Sequence, residues 1–591
     1  MGIASGTVLV LSTWLILAIV IMSIGFGLSI LTSIKNSPID EIIRRSIWWG
    51  LAIFTFIVLA SSLISPLRSS GALTFVTAFC ALILAGNTIA FRCLGGKRYL
   101  TARTQTSSVW SYFSIIVLVI VIIFVAIRAL GPANNYDTGL YHLGVVSYFG
   151  DYGTIPGLAN IYGALGYNNS IFPLAAFLGN GPWDGNGYRL VNGFLMLLVA
   201  IDFILRLVFG RKSVGTFLMG IGIIGMFLPL IAVTDFWVTS PTSDSAIMLL
   251  ALVASAYLID SISLPDKMWS QMGVVGVVSI LLVSMRPTML FFVAGNLLVL
   301  ALLIWSRRGR KSTGRVWVWA LSGFGVIAVA VGSVQVCRDY FLSGWFLYPL
   351  SILPFDVEWR AVDPINLREA TLAAARDPSA PEYWPVAHSW NWINEWFIAR
   401  WSMWETYFVL SGFTALGLLL IFVLVTRVQI QWRRIFLAVS PSVIAVVAWF
   451  TVSPPSYRFI WGPLFLTFMI PLAFLLESLR VKWIWPMVQI CLSSILGSIV
   501  IFTAIFRVQY ADMSTEADWN LGPLGISYTY STPPVPVTSS FTTLGGLELQ
   551  APTESEQCWA AFPLCTSNVG ARVVGRGPSI QDGFMSGVSG N

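Results

Sequence analysis

Asp137 stands in the stretch Asn134-Asn135-Tyr136-Asp137-Thr138-Gly139-Leu140-Tyr141-His142, just beyond a long apolar run. A carboxylate in that setting, flanked by aromatics and Asn, is partly desolvated at a bilayer surface, which makes it a candidate general base for a lipid-borne substrate. His142 follows on what a helix would make nearly the same face, and Asp151 is the next acid along the chain. The competing reading of Asp137 is a helix cap, and one carboxylate can play both parts. Two arginines could complement it. Arg286 interrupts an apolar stretch in Val283-Ser284-Met285-Arg286-Pro287-Thr288, and Arg458 follows Ser453-Pro454-Pro455-Ser456-Tyr457. An Arg at membrane depth is expensive and takes a partner. A planar guanidinium suits phosphate oxygens, so a lipid phosphate or diphosphate is one expected partner of Arg286 and Arg458, with Tyr457 beside it. A salt bridge to Asp235 or Asp244, or snorkelling to the interface, is the other.

A second group of residues suits a sugar. Ser343-Gly344-Trp345-Phe346-Leu347-Tyr348-Pro349 and Asp356-Val357-Glu358-Trp359 set aromatic faces beside carboxylates in polar turns, which makes Trp345, Tyr348 and Trp359 candidate substrate contacts. The run Trp384, Trp390, Trp392, Trp396, Trp401 and Trp404 reads mostly as interface anchors, since Trp is amphipathic. Asp202 lies within an apolar run, and Arg206 one turn on is its simplest partner.

The elements that must position these residues are helices in lipid. The chain of 591 residues is 56% hydrophobic and only 10% charged, with a mean hydropathy of +0.79. That is far too apolar to cover a water-facing surface. Apolar runs place spans at 7–31, 47–64, 70–91, 112–130, 188–209, 215–233, 244–259, 273–285, 287–305, 316–334, 406–426, 436–452, 459–476 and 484–505. The pair at 273–305, broken at Arg286-Pro287, reads as two short helices or one long kinked one. The first run is too long for a signal-peptide core and reads as a retained span.

The polar islands between spans sort by charge. All the lysines (Lys35, Lys97, Lys212, Lys267, Lys311, Lys482) fall in alternate islands, with the cluster Arg307-Arg308-Gly309-Arg310-Lys311, while most acids and both histidines fall in the others. By the positive-inside rule the lysine set is cytoplasmic and both termini are extracytoplasmic. The net charge of +7 reflects those short loops and predicts no nucleic-acid partner. With only short loops on that side and no Gly-rich phosphate loop, nucleotide-driven chemistry is not expected. Long segments at 131–187, 335–405 and 506–591 lie on the other side. In the first, the apolar runs at 161–165 and 171–178 suit helices along the interface or a re-entrant hairpin. The last is rich in Pro, Ser, Thr and Gly, as in Ser531-Thr532-Pro533-Pro534-Val535-Pro536, and predicts short strands. Cys558 and Cys565 in it suit a disulfide in an oxidising compartment, and no further Cys or His nearby suggests a metal.

At these motifs the chain resembles the GT-C superfamily of polytopic glycosyltransferases, which carry an acid in the first outer loop of a multi-span module and often an outer C-terminal domain. The resemblance implies Asp137 as the catalytic acid, 1–111 as additional N-terminal spans, 112–505 as the GT-C-like module and 506–591 as an extracytoplasmic tail domain. The chain departs from the paired acids common in that superfamily, since Thr138-Gly139 follow Asp137, so a divalent metal is only weakly supported. More narrowly, the chain is similar to a bacterial family of large multi-span membrane proteins with no assigned reaction, through Tyr136–His142, Ile155-Pro156-Gly157-Leu158, Ser343–Pro349, Asp356–Trp359, Tyr457-Arg458-Phe459 and Gln557-Cys558-Trp559 with Pro563-Leu564-Cys565-Thr566.

The expectation is an all-α polytopic protein of about fourteen transmembrane helices in a bacterial cytoplasmic membrane, with a small C-terminal domain of mixed character. The expected activity is sugar transfer from a polyprenyl-phosphate donor to a glycan, lipid or protein acceptor. The alternatives are a secondary transporter or lipid flippase, a polymerase or ligase of lipid-linked glycans, and a non-catalytic scaffold.

Overall fold

The computed structural model describes residues 3–33, 37–93, 109–209, 213–306, 316–362, 364–380, 382–479, 484–509, 532–543, 545–568 and 572–587. The basic cluster Arg307–Lys311 and the start of the tail, Ser531 included, lie outside the described residues. Among those described, 14 helices are long and apolar enough to cross a membrane: α1 (Ile3–Leu31), α2 (Ile39–Ile64), α3 (Ser70–Ile89), α4 (Val109–Arg128), α5 (Gly187–Phe209), α6 (Val214–Ala232), α7 (Ser243–Ser263), α8 (Pro265–Met285), α9 (Pro287–Ser306), α10 (Trp317–Ser343), α11 (Trp404–Val425), α12 (Trp432–Thr451), α13 (Trp461–Ser478) and α14 (Ile484–Thr503). The protein is an all-α polytopic membrane protein with a small mixed C-terminal region. The doubtful pair is two helices. Arg286, before a proline and so steered out of the helical region, is extended at φ −152, ψ 112, and Pro287 opens the next turn.

Most spans are apolar all round, because their outer faces meet lipid. The exception is α7, which is enclosed along its whole length by α6, α8, α5 and α13. α1 and α2 approach most closely at Gly25 and Gly50, where an added Cβ would run into Ser46 and Ile21 backbone oxygens. Small residues at such crossings are how helices pack without a hydrophobic drive.

At the end of the bundle that carries Lys267, burial of charge is offset by pairing. Asp202 Oδ1 takes Arg206 Nε at 3.0 Å, and Arg206 reaches on to Asp260 at 2.7 Å. The second oxygen of Asp202 accepts from Trp48 Nε1 (2.8 Å) and the Tyr257 hydroxyl (3.0 Å), while Arg44 stands 3.7 Å away. The i,i+4 pair read from the sequence is therefore one edge of a network that ties α2, α5 and α7. Removing a partner from a buried ion network strands the others at about 3–5 kcal/mol. Asp202→Ala should accordingly lower the thermal unfolding midpoint of the detergent-purified protein far more than Asp202→Asn. A midpoint for Asp202→Ala equal to that of wild type would show that the network contributes nothing to stability.

The end opposite Lys267 carries the long segments. Residues 129–186 fold as short turns plus the helices Leu143–Asp151 and Ile171–Leu178. The second of these is covered by protein rather than laid along the interface, and it is held by Ser170 N on Ser284 O at 3.0 Å. The tail forms two antiparallel hairpins, β1 (Thr538–Thr542) with β2 (Glu548–Pro552) and β3 (Val573–Gly575) with β4 (Phe584–Ser586). A Cys558–Cys565 disulfide closes the loop between the hairpins.

Candidate functional site

Four chain ends meet where the first long segment crosses the bundle. Asp137 follows α4, Asp244 sits in the first turn of α7, Arg286 occupies the α8–α9 break, and Arg458 lies in the short turn Tyr457–Phe459 before α13. Asp244 is the fixed point. It is 2% exposed, its helix is enclosed, and a carboxylate at a helix start is favoured by the dipole. Around it runs a ladder of alternating charge. Arg458 Nη1 lies 2.9 Å from Asp137 Oδ2, Arg458 Nε lies 4.0 Å from Asp244 Oδ2, and Arg286 pairs with Asp244 Oδ1. Both guanidiniums lie over the Phe459 ring, at 4.4 Å for Arg286 and 5.1 Å for Arg458. Burial works against the charge on Arg458, but Asp244 and Asp137 outweigh it and hold its pKa above the ordinary value.

The ladder bears on two readings left open by the sequence. Both arginines reach Asp244, and Arg458 also holds Asp137; Asp235 instead accepts from Asn134 Nδ2 at 2.9 Å. Asp137 makes no side-chain capping bond, so its carboxylate is committed to Arg458 and not to the helix start.

Phenols surround the Asp137 carboxylate. Burial, and after it the bond to Glu556, pushes Tyr136 up to about 12. Burial and Asp137 push Tyr141 well above its ordinary value, and Tyr162 and Tyr167 shift the same way, chiefly through burial. At neutral pH all four keep their protons and remain hydrogen-bond donors. Among the described residues no group of three or more His, Cys, Asp or Glu side chains gathers to hold a metal.

The other expected residues fall elsewhere. His142 is 3% exposed and faces Thr138 and Ser240, each 3.5 Å from Nδ1, rather than Asp137. Burial lowers its pKa to about 4, so it is a neutral packing group near the site. Asp151 lies at the far end of its helix, paired with Arg68. Trp345 and Tyr348 are buried struts, because the indole donates to Ala361 O at 3.1 Å and the phenol to Gly163 O at 3.0 Å. Neither offers a free polar edge to a sugar. Trp359 is pinned to Tyr340 O (2.9 Å) and covered by Arg576 of the tail (4.7 Å). Tyr457 bonds Thr406 at 3.0 Å and packs among Trp396 and Trp449.

His142 also gives a pH prediction. Below pH 6.5 the unfolded chain protonates this imidazole while the fold resists until about pH 4. Stability present above 6.5 is therefore lost as pH falls through that window, by roughly 3 kcal/mol. The unfolding midpoint should fall from pH 6.5 to 4, and His142→Gln should flatten that slope; an unaltered slope would show that other groups carry it.

The tail was not foreseen as part of this site. The Tyr136 hydroxyl donates to Glu556 at 2.7 Å, and Gln557 Nε2 donates to Tyr136 O at 2.8 Å. Trp559 N bonds Gly139 O at 2.9 Å, Leu564 N bonds the Tyr148 hydroxyl at 3.1 Å, and Thr566 Oγ1 bonds Ile161 O at 3.2 Å. The Trp559 indole lies flat on Gly139, so that a Cβ there would come within 2.5 Å of it. Only the missing side chain at residue 139 hints at this contact in the sequence.

A groove of about 430 Å³ runs between α11 and α12 as walls and α13 as floor. Phe413, Leu416, Val439, Val443, Val447 and Leu464 are among the apolar residues that line it. Its one hydroxyl, on Thr467, is turned onto Leu464 O at 2.6 Å. Leu464, in the first turn of α13, is the lining residue nearest to Arg458 along the chain.

A family model described as a domain of unknown function, DUF8201, matches residues 8–465. The chain belongs to the DUF8201 family. No curated protein and no solved structure matches it. The DUF8201 match takes in Asp137, Asp244, Arg286 and Arg458 together with α1–α3, and it stops short of the tail. Every rung of the ladder thus belongs to the DUF8201 domain, whereas Glu556, Gln557 and Trp559 reach it from outside.

Proposed function

We propose that this protein is a membrane glycosyltransferase of the GT-C type, which moves a sugar from a polyprenyl-phosphate donor to an envelope glycan, lipid or protein acceptor. The lysine bias of the opposite loops puts the site on the outer face of a cytoplasmic membrane. The observation that carries the reading is the ladder itself, a carboxylate held by a guanidinium that precedes α13, one of the three helices forming an apolar groove. A lipid chain suits the groove, and a phosphate suits the arginines.

A phosphate entering beside Arg458 competes for the N–H groups that Asp137 now occupies, and so frees Asp137. The freed carboxylate takes the proton of the acceptor hydroxyl. The hydroxyl oxygen bonds the anomeric carbon as the bond from that carbon to the phosphate oxygen breaks, and the electron pair leaves on the lipid phosphate. Arg458 and Arg286 stabilise the charge that develops there. Asp244 stays in place and keeps both guanidiniums oriented. Direct attack inverts the anomeric configuration. The proton bound by Asp137 passes to water, which restores the ladder when lipid phosphate departs.

The test is deletion in the native host, with envelope glycans profiled by mass spectrometry and complementation by wild type and by Asp137→Asn. Loss of one sugar restored by wild type alone is expected, and the missing residue identifies donor and acceptor. Unchanged glycans in every strain would move the reading to transport or scaffolding.

A further inference from the structure

One side chain joins the helix Ile393–Trp401 to the turn that carries Arg458. Trp396 is 3% exposed. Its Nε1 donates to Pro455 O at 2.8 Å, and its ring meets Tyr457, Trp449 and Phe450 at 5.7, 5.9 and 5.4 Å. Arg400, one turn on, lies over the same indole at 5.1 Å and donates to Ala375 O at 2.6 Å. Trp396 and Arg400 therefore define the inward face of this helix.

The other face is largely apolar and exposed. Phe397, Ile398 and Trp401 are 54%, 62% and 60% exposed. At helical spacing the three fall within one sector roughly 100° wide opposite Trp396, interrupted only in the first turn by Asn394, whose amide is turned onto Glu395 at the sector's margin. A water-facing helix would not keep such a stripe. The covering partner is fixed by continuity. α11 begins at Trp404, and its Tyr407, Leu410 and Phe413 are likewise exposed on a helix that crosses the bilayer. Only Ser402 and Met403 separate the stripe on Ile393–Trp401 from that lipid-facing helix, and its Trp and Phe are the residues that seat in the interfacial layer of a membrane.

We propose that Ile393–Trp401 is embedded in the adjoining leaflet of the bilayer, and that Trp396 transmits this seating to residues 453–459 so that the membrane itself positions Arg458. Trp396 is then a positioning residue that acts through Pro455 and Tyr457. This coupling stands whatever reaction the ladder performs, and its test needs no donor.

Full-length protein stripped of its free cysteines would be spin-labelled in phosphatidylethanolamine–phosphatidylglycerol nanodiscs at Ile398→Cys, at Glu395→Cys and, as a lipid reference, at Leu418→Cys on α11. The oxygen-to-nickel collision ratio should be several-fold higher at 398 than at 395 and should match 418. Equal ratios at 398 and 395 would overturn the seating. A label at Ser456→Cys then reads the turn. Trp396→Ala should raise its mobility, Trp396→Phe should raise it less, and Ile398→Asp, which touches nothing in the turn, should raise it as Trp396→Ala does. A label at Ser540→Cys in the tail should stay unchanged and so report an intact fold. A rigid Ser456 label in Ile398→Asp, with the tail intact, would overturn the coupling even if Trp396→Ala failed to fold.

Discussion

Asp137→Asn is expected to cut sugar transfer by roughly 10²–10⁴-fold, the range that a positioned general base supplies, with expression and thermal stability close to wild type. Asparagine keeps the size of the side chain and can still face Arg458, but it cannot accept the acceptor proton. The companion change Arg458→Lys separates the two roles. Lysine keeps the charge but loses the planar fork that spans Asp137 at 2.9 Å and Asp244 at 4.0 Å. It should therefore weaken donor binding and slow departure of the phosphate. Initial rates against donor concentration in nanodiscs would distinguish them: Asp137→Asn lowers kcat, and Arg458→Lys raises KM as well. Near-normal turnover in Asp137→Asn would remove the base assignment, and an unaltered KM in Arg458→Lys would remove the phosphate from Arg458.

Gly139→Val should detach the tail. The indole of Trp559 occupies the space a side chain would need, 2.5 Å from an ideal Cβ at its nearest atom, and the backbone bond from Trp559 N to Gly139 O fixes the two together. Overpacking of this kind costs about 1–3 kcal/mol, and the shift falls on docking because the tail holds to the first long segment through a handful of hydrogen bonds. Cys558→Ser with Cys565→Ser should act alike, since the disulfide closes the loop that presents Trp559. Hydrogen exchange at the amides of Trp559 and Leu564 is the measurement. Both variants should speed it by roughly five- to a hundredfold with the spans undisturbed, and unchanged protection would show that the tail is held elsewhere.

Some of this was legible in the amino acids and some was not, for identifiable reasons. A span is a local property, since twenty apolar residues declare themselves wherever they pack. The fourteen helices thus follow the apolar runs, and even the break at Arg286-Pro287 is local chemistry. Asp137, Arg286 and Arg458 stood out because charge at membrane depth is costly in any context. Their mutual arrangement was less visible. Asp244 entered only as a salt-bridge partner, and its enclosure in the first turn of α7 is a product of packing. Trp345 and Tyr348 sit in polar turns that look exposed, yet Ala361 O and Gly163 O hold their polar atoms inside. Trp392 and Trp396 share a run with Trp390 and Trp401, and only helical phase under a neighbouring turn decides which of them face inward. The docking of Glu556 and Trp559 beside Asp137 spans some four hundred positions, a distance over which no local pattern in a single chain carries information.

That long reach has a consequence for biogenesis. Residue 139 leaves the ribosome well before residue 559, and ten further spans must be inserted between them. Until the segment around Trp559 is made and Cys558 is joined to Cys565, the Asp137 turn lacks the partner that lies on Gly139 and the acid that holds Tyr136. A truncated or reduced chain would therefore reach the membrane with its helices in place and this turn uncovered. Docking of the disulfide loop thus acts as a checkpoint, since the site begun at residue 137 is finished only by residues made some four hundred positions later.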